Sequence, residues 1–496
     1  MSANRRIKME MDIFKNKYPI LALTGPRQSG KTTFLKTQFS EYESLRQFLV
    51  IQQEDLQEGK LELHLAVDPA RRGDFFSLAF ARLTYALPIN KANSEPDPLR
   101  FIVESVQAVR FRDYLSQSAN YLIVGHGQLE RPSQSYPNPV LAYASYRASG
   151  AGGSYDTLVL RMEDLYDQFA FGERTPWALQ SFLKFYWPIH RPRYLLLTGR
   201  SIAPFAQVWK ENTSVFYRSA PQSFEFQDLV PSAGFPASDS FFVKGLKSGE
   251  PELSALAVGR IPSKSSQDLS NYLDKVIEQE SSGIAGPQRI LHLVGGMNPA
   301  ELARHSSFLA GFEELARSGL PEVEVATYTK DTIAEIQRID LSKELNAGVS
   351  LITYFGHGSL ASNELDFGYV SDSSFGYANL GKYPLLLING CEYSNAFGPS
   401  YSQGEDWLVT PNKGAIAVLS NSSLGVDVLL KRYTEIWYSQ LFAVAPAADQ
   451  LSLGDILLHT ERKFLLRYGL SPEHEAFLSQ QVLLGDPALH IFHPIL

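Results

Sequence analysis

The chain has a single cysteine, Cys391, among its 496 residues, so no disulfide can form within it and cysteine usage assigns no redox compartment. It lacks any apolar run of the roughly 18–20 uncharged residues that span a bilayer as a helix. A basic surplus is missing too. The net charge is −8 and the pI near 5.8, with lysines and arginines scattered, which removes the electrostatic case for nucleic acid or an anionic membrane surface. Met1-Ser-Ala-Asn-Arg-Arg-Ile-Lys has the charge of a secretion signal's first part. Charged residues in Met9-Glu-Met-Asp-Ile-Phe-Lys-Asn-Lys17 then stand where an apolar core should follow, so no export signal is read and the chain as written is expected in the cytoplasm. There is no internal repeat and no low-complexity tract.

What is present is a globular composition: 44% hydrophobic and 20% charged residues, over a length that calls for two or three domains. Residues 1–40 read as strand, glycine turn and helix, and residues 41–112 as β-rich. From residue 113 strands and helices alternate, which predicts a parallel sheet with helices on its faces. The strand candidates are 121–124, 157–160, 194–198, 253–258, 289–294, 323–328, 349–355, 385–388 and 415–419, and helical stretches include 175–185, 267–280 and 300–318. The segment 200–250, rich in Ser, Pro and Phe, reads as a long irregular connection. It divides the region into a first α/β half, 113–230, and a second, 231–496.

Two of the buried-strand candidates end in chemistry. Val349-Ser-Leu-Ile-Thr-Tyr-Phe is followed by Gly356-His357-Gly358-Ser359, and Tyr383-Pro-Leu-Leu-Leu-Ile-Asn-Gly ends in Cys391, 34 residues after the histidine. Adjacent parallel strands would bring the two tips together. A thiol attacks as thiolate, and its ordinary pKa of about 8.5 leaves little of that form at neutral pH. A neighbouring histidine takes the proton and returns it to the leaving amine. The N–H groups of Gly358 and Cys391 would then serve as an oxyanion hole. The sober alternative is a small buried thiol beside a structural histidine. A second Gly-His-Gly, at His126, has no nucleophile in a matching turn and reads as structural.

From about Tyr121 onward the chain resembles the gingipain family of cysteine peptidases. The likeness is carried by Tyr155-Asp-Thr-Leu-Val-Leu-Arg-Met-Glu-Asp-Leu-Tyr-Asp-Gln-Phe169 with Arg193-Tyr-Leu-Leu-Leu-Thr-Gly199, by Ala257-Val-Gly-Arg-Ile-Pro262, by the His357 and Cys391 turns, and by Leu484-Gly-Asp-Pro-Ala-Leu489. Within the family it looks most similar to the sortase-like peptidases of type IX secretion. The resemblance implies a caspase-like, three-layer α/β/α domain in two halves preceded by a small β-rich region, with His357 and Cys391 catalytic. It implies protein or peptide substrates, an extracellular or outer-membrane setting beside secretion machinery, and no required cofactor, with calcium as an ion the family can bind. Gingipains orient the histidine with an acid before a Gly-Gly pair. Here Val294 precedes Gly295-Gly296, so a dyad is expected. No acid in Ala300-Glu-Leu-Ala-Arg-His305 matches the one that reads arginine, so trypsin-like specificity is not carried over. A catalytically inactive scaffold of the same fold remains the alternative.

Gly25-Pro-Arg-Gln-Ser-Gly30-Lys31-Thr32 matches GxxxxGK[ST] between strand and helix, where backbone N–H groups would cradle phosphate, Lys31 would reach the outer phosphates and Thr32 would bind Mg²⁺. Residues 18–39 resemble the opening of an AAA-type ATPase. The only fair Walker B candidate, Leu63-His-Leu-Ala-Val-Asp68, alternates as an antiparallel strand does. About 70 residues are too few for the rest of an NTPase core. The expectation is a P-loop fragment joined to a peptidase, with ATP and Mg²⁺ disfavoured and nucleotide hydrolysis kept as the rival activity.

Overall fold

The computed structural model of the chain describes residues 111–202, 227–443 and 451–490, apart from 235, 283–287, 333 and 399, together with the backbone of four short strands nearer the N-terminus. Gly25, Gly30, Lys31 and Thr32, and residues 203–226 of the irregular connection, lie outside the described residues. Two compact units are distinguished: Met1–Arg112 with Glu163–Ser181, and Asp113–Met162 with Phe182–Leu496. In the first, Leu61–Leu65 pairs antiparallel with Leu99–Val103, and Phe75–Leu78 pairs antiparallel with Leu83–Ala86. The segment considered for a Walker B strand is therefore antiparallel, as its alternation suggested.

The second unit is built on one ten-stranded sheet. In chain order its strands are β1 (Tyr121–Gly125), β2 (Thr157–Arg161), β3 (Tyr194–Leu197), β4 (Ala257–Arg260), β5 (Arg289–Val294), β6 (Glu324–Thr329), β7 (Leu351–Phe355), β8 (Leu385–Asn389), β9 (Ala417–Asn421) and β10 (Gln481–Leu484). Their order across the sheet is β6-β5-β7-β8-β9-β10-β4-β3-β1-β2. Every residue of β7 and β8 is buried, as expected of aliphatic strands covered on both faces. At the edge, β6 carries exposed polar positions, which discourages pairing with another chain.

Strands β5 to β9 run parallel. β10 is antiparallel to β9 and joins β4 in parallel through Leu484 and Arg260, so β1 to β4 run opposite to β5–β9. The loops leaving β5, β6, β7, β8 and β9 consequently gather at one sheet edge, where sites of open α/β sheets form. The loop of His126 leaves β1 at the other edge, and the His126 Nδ1 accepts the Gln128 N–H at 3.2 Å.

Helices pack in two groups. α1 (Pro139–Ala148), α2 (Ser266–Ser282) and α4 (Gln403–Val409) form one, and α3 (Pro299–Gly319), α5 (Asp427–Leu441) and α6 (Leu453–Tyr468) form the other. From the second group Tyr438 meets His292 of β5 and Thr353 of β7, while Tyr272 of α2 donates to the Ile416 carbonyl. This is the three-layer α/β/α arrangement of a caspase-like domain. Asp486, fully buried just past β10, fastens the closing turn to the first half. It accepts Tyr121 and Tyr143 hydroxyls, each at 2.6 Å, and Arg147 Nε at 2.7 Å. Arg147 also reaches Glu280 of α2 at 2.8 Å, so the buried carboxylate is paired as burial demands.

Candidate active site

Strands β7 and β8 are direct neighbours, with Phe355 in register with Asn389. Their tips therefore place His357 and Cys391 side by side, as the sequence reading required. A methyl placed on Gly358 would stand 2.8 Å from Asn363 Oδ1, within its own loop, and at an ordinary contact distance of 3.4 Å from the Cys391 nitrogen, so glycine is required by its own loop and the Cys391 turn lies directly against it. Neither the Gly358 nor the Cys391 N–H donates to any other group among the described residues. Both remain available to a ligand oxygen. Cys391 is partly exposed, and its sulfur accepts the Gly425 N–H at 3.3 Å, from the loop leaving β9. Glu392, next in the chain, holds φ at 57°, a left-handed conformation that is costly for a residue with a side chain and concentrates at functional sites.

The His357 loop is a tight return. His357 and Glu364 pair through the Glu364 N–H to the His357 carbonyl, and Ser359 and Ser362 close the turn inside it. Glu364 is buried, and its Oε2 accepts the His357 N–H at 3.0 Å. Tyr354 donates its hydroxyl to the His357 carbonyl at 2.5 Å. Both backbone groups of the histidine are thus held, while its ring is left exposed.

That ring finds a carboxylate. Glu301 Oε2 lies 3.4 Å from His357 Nε2. Glu301 sits in the first turn of α3, capped by Asn298, which accepts the Glu301 N–H at 3.0 Å, and it takes the Met297 N–H at 2.8 Å. The Met297 N–H first, with Asn298 and His357 adding to it, holds the Glu301 carboxyl below the usual carboxylate range. Val294 supplies no acid, but seven residues on the first turn of α3 does. The family pattern places the orienting acid before the Gly-Gly pair, and in the sequence Glu301 is weighed only as an arginine-reading acid within Ala300–His305. The signal was Asn298-Pro-Ala-Glu301, a helix-start pattern following the strand beside β7. The pair itself has a steric cause. A side chain at Gly295 would lie 2.5 Å from the Tyr354 hydroxyl and 2.8 Å from Glu364 Oε2.

The described interactions contain no hydrogen bond between His357 and the Cys391 sulfur, an arrangement common before substrate tightens such contacts. Among the described residues no cluster of three or more His, Cys, Asp or Glu stands ready for a metal ion, and no helix is long and apolar enough to cross a membrane.

Comparison with known proteins gives the following. The model of peptidase family C25 matches residues 114–492, and an AAA domain model matches residues 17–79. No curated protein matches the sequence. Among solved structures, the complex of Porphyromonas gingivalis RgpB pro- and mature domains superposes with a TM-score of 0.57 at 14% identity, covering 75% of this chain and 79% of that one. The Arg-specific cysteine proteinase gingipain R gives 0.55 at 14%, covering 77% and 79%. Dimeric latent PorU from Porphyromonas gingivalis gives 0.37 at 13%, covering 83% of this chain and 33% of that one, a score too low to support an argument. At such identities the first two likenesses establish the fold alone.

Proposed function

The chain belongs to peptidase family C25, and from that premise we propose that it is a cysteine endopeptidase using Cys391 as nucleophile and His357 as general base, then acid. The Cys391 sulfur attacks the scissile carbonyl carbon, and its proton passes to His357. Gly358 and Cys391 N–H groups receive the oxyanion, each contributing on the order of 3 kcal/mol to the transition state. The C–N bond then breaks, and the amine leaves with the proton from His357. Water, deprotonated by the same ring, hydrolyses the thioester and restores the thiol. Glu301 orients the ring from α3.

The observation that carries this reading is the meeting of the two turns. A methyl on Gly358 would meet the Cys391 backbone at 3.4 Å, and among the described residues neither the Gly358 nor the Cys391 N–H donates to another group, which a structural thiol would not require. A place in type IX secretion, an extracellular setting and a calcium ion rest on sequence resemblance alone. Nucleotide hydrolysis rests on the P-loop segment outside the described residues and is not the function proposed.

The test is hydrolysis of an unstructured protein such as casein by the full chain. Loss of cleavage in Cys391→Ala and a fall of at least about 1,000-fold in His357→Ala, as expected when a base and its nucleophile act as a unit, support the assignment. Cleavage unchanged in Cys391→Ala overturns it, and a wild type that neither cleaves nor reacts with a thiol-directed probe favours the inactive scaffold.

A further inference from the structure

We propose that Lys330 is a positioning residue for His357, tying the loop that leads into the Glu301 helix turn to the loop that bears the histidine; this deepens the dyad reading above and depends on it. Lys330 directly follows edge strand β6, and its own N–H bonds the Val294 carbonyl at 2.9 Å. Its side chain is only 1% exposed. The ammonium donates to the Gly296 carbonyl at 3.3 Å, in the loop that leads to Asn298 and Glu301. On its other side it lies 4.0 Å from Glu364 Oε1, which has no hydrogen-bond partner among the described residues. The second oxygen of that carboxylate accepts the His357 N–H.

One buried cation therefore spans two loops, with a carboxylate relaying its hold to the histidine backbone. Burying a lysine and a glutamate costs several kcal/mol per ion unless their geometry returns it. A plain stabilising role would be met by apolar residues of similar volume. What marks this pair is its position. Gly295 lies against Tyr354 and Glu364, leaving no room for a side chain, and the separation that Lys330 fixes is the one between Glu301 and His357. Catalytic groups displaced by about 1 Å lose on the order of 100-fold in rate.

A double-mutant cycle separates positioning from mere stability. Peptide hydrolysis is measured for Lys330→Met, for Lys330→Met/Glu364→Gln, which leaves no unpaired buried charge, and for both sets in a Glu301→Gln background. The expected result is a kcat about 10–100-fold lower with KM within about twofold. In the Glu301→Gln background the same changes should cost less than about threefold, because the ring contact they protect is already gone. The double variant should unfold at nearly the wild-type urea concentration. Equal losses in both backgrounds, a loss matched by a falling folded fraction, or no loss in the double variant would each overturn the proposal. Activity that survives Cys391→Ala would instead sink the dyad reading, a separate failure.

Discussion

At the scale of single residues, the site is defined by who holds His357. Its backbone belongs to Glu364 and Tyr354, its ring to Glu301. In the sequence His357, Gly358 and Cys391 stand out, because each follows a strand-like run in a glycine turn. The two glutamates were not legible. In the sequence Glu301 stands only in Ala300–His305, weighed against an arginine-reading acid, and nothing singles out Glu364; only the strand order places both beside the histidine. A pH prediction follows from Glu301. Because its carboxyl is held below the ordinary value near 4.3, its support is complete at neutral pH. That support is lost only as pH falls through the depressed folded value. Stability tied to this group has the same sign, present above the unfolded pKa and lost below the folded one. Glu301→Gln should lower kcat by about tenfold at pH 7, and the ratio of wild-type to variant kcat should shrink only below about pH 4.3. A kcat at pH 7 unchanged by Glu301→Gln, or a ratio that already shrinks above about pH 4.3, would remove Glu301 from the mechanism.

Among elements, the loop from β9 to α5 carries a prediction about substrate choice. Gly425 touches the Cys391 sulfur, and its neighbours Leu424 and Val426 are 70% and 48% exposed. Asp427, the nearby acid on which a basic side chain could draw, is already taken by Arg304 at 2.6 Å and by His305 at 3.2 Å. Burial works against its charged form, but these partners hold its carboxyl below the usual range. Apolar surface beside the nucleophile, with Asp427 already paired, predicts that peptides with leucine or phenylalanine on the acyl side of the cleaved bond turn over faster than arginyl ones. Leu424→Asp should reverse that order in a paired-substrate assay; a wild-type preference for arginine would refute it. The element pattern was otherwise readable. The range 289–294 coincides with β5, and most other strand candidates overlap theirs. The weak point was 253–258, where β4 lies two to four residues later, because it ends in Gly259-Arg260 rather than an aliphatic run. Arg260 is buried there by pairing with Asp239 at 2.6 Å. β10 went unread because four residues after a short helix give no periodicity to detect.

For the whole peptidase unit, that unread strand is what unites two halves expected to be joined by an irregular connection. β10 reverses direction against β9 and bonds to β4, and Asp486 behind it gathers Tyr121, Tyr143 and Arg147 from the first half. Removing one partner of a buried pair leaves an uncompensated charge and costs about 3–5 kcal/mol. Asp486→Ala should therefore lower unfolding stability by that order in urea while the sequence of the active site is untouched. An unchanged midpoint would show that the halves do not depend on this staple.

The central claim is that Cys391 is a nucleophile activated by His357, and covalent capture tests it most directly. The full chain is incubated at neutral pH with a peptidyl electrophile carrying an apolar residue, and the adduct is located by peptide mass spectrometry. The account predicts one adduct, on Cys391, formed on the order of 100-fold faster than in His357→Ala. Equal rates with and without His357, or no adduct under conditions where free thiols react, would contradict it.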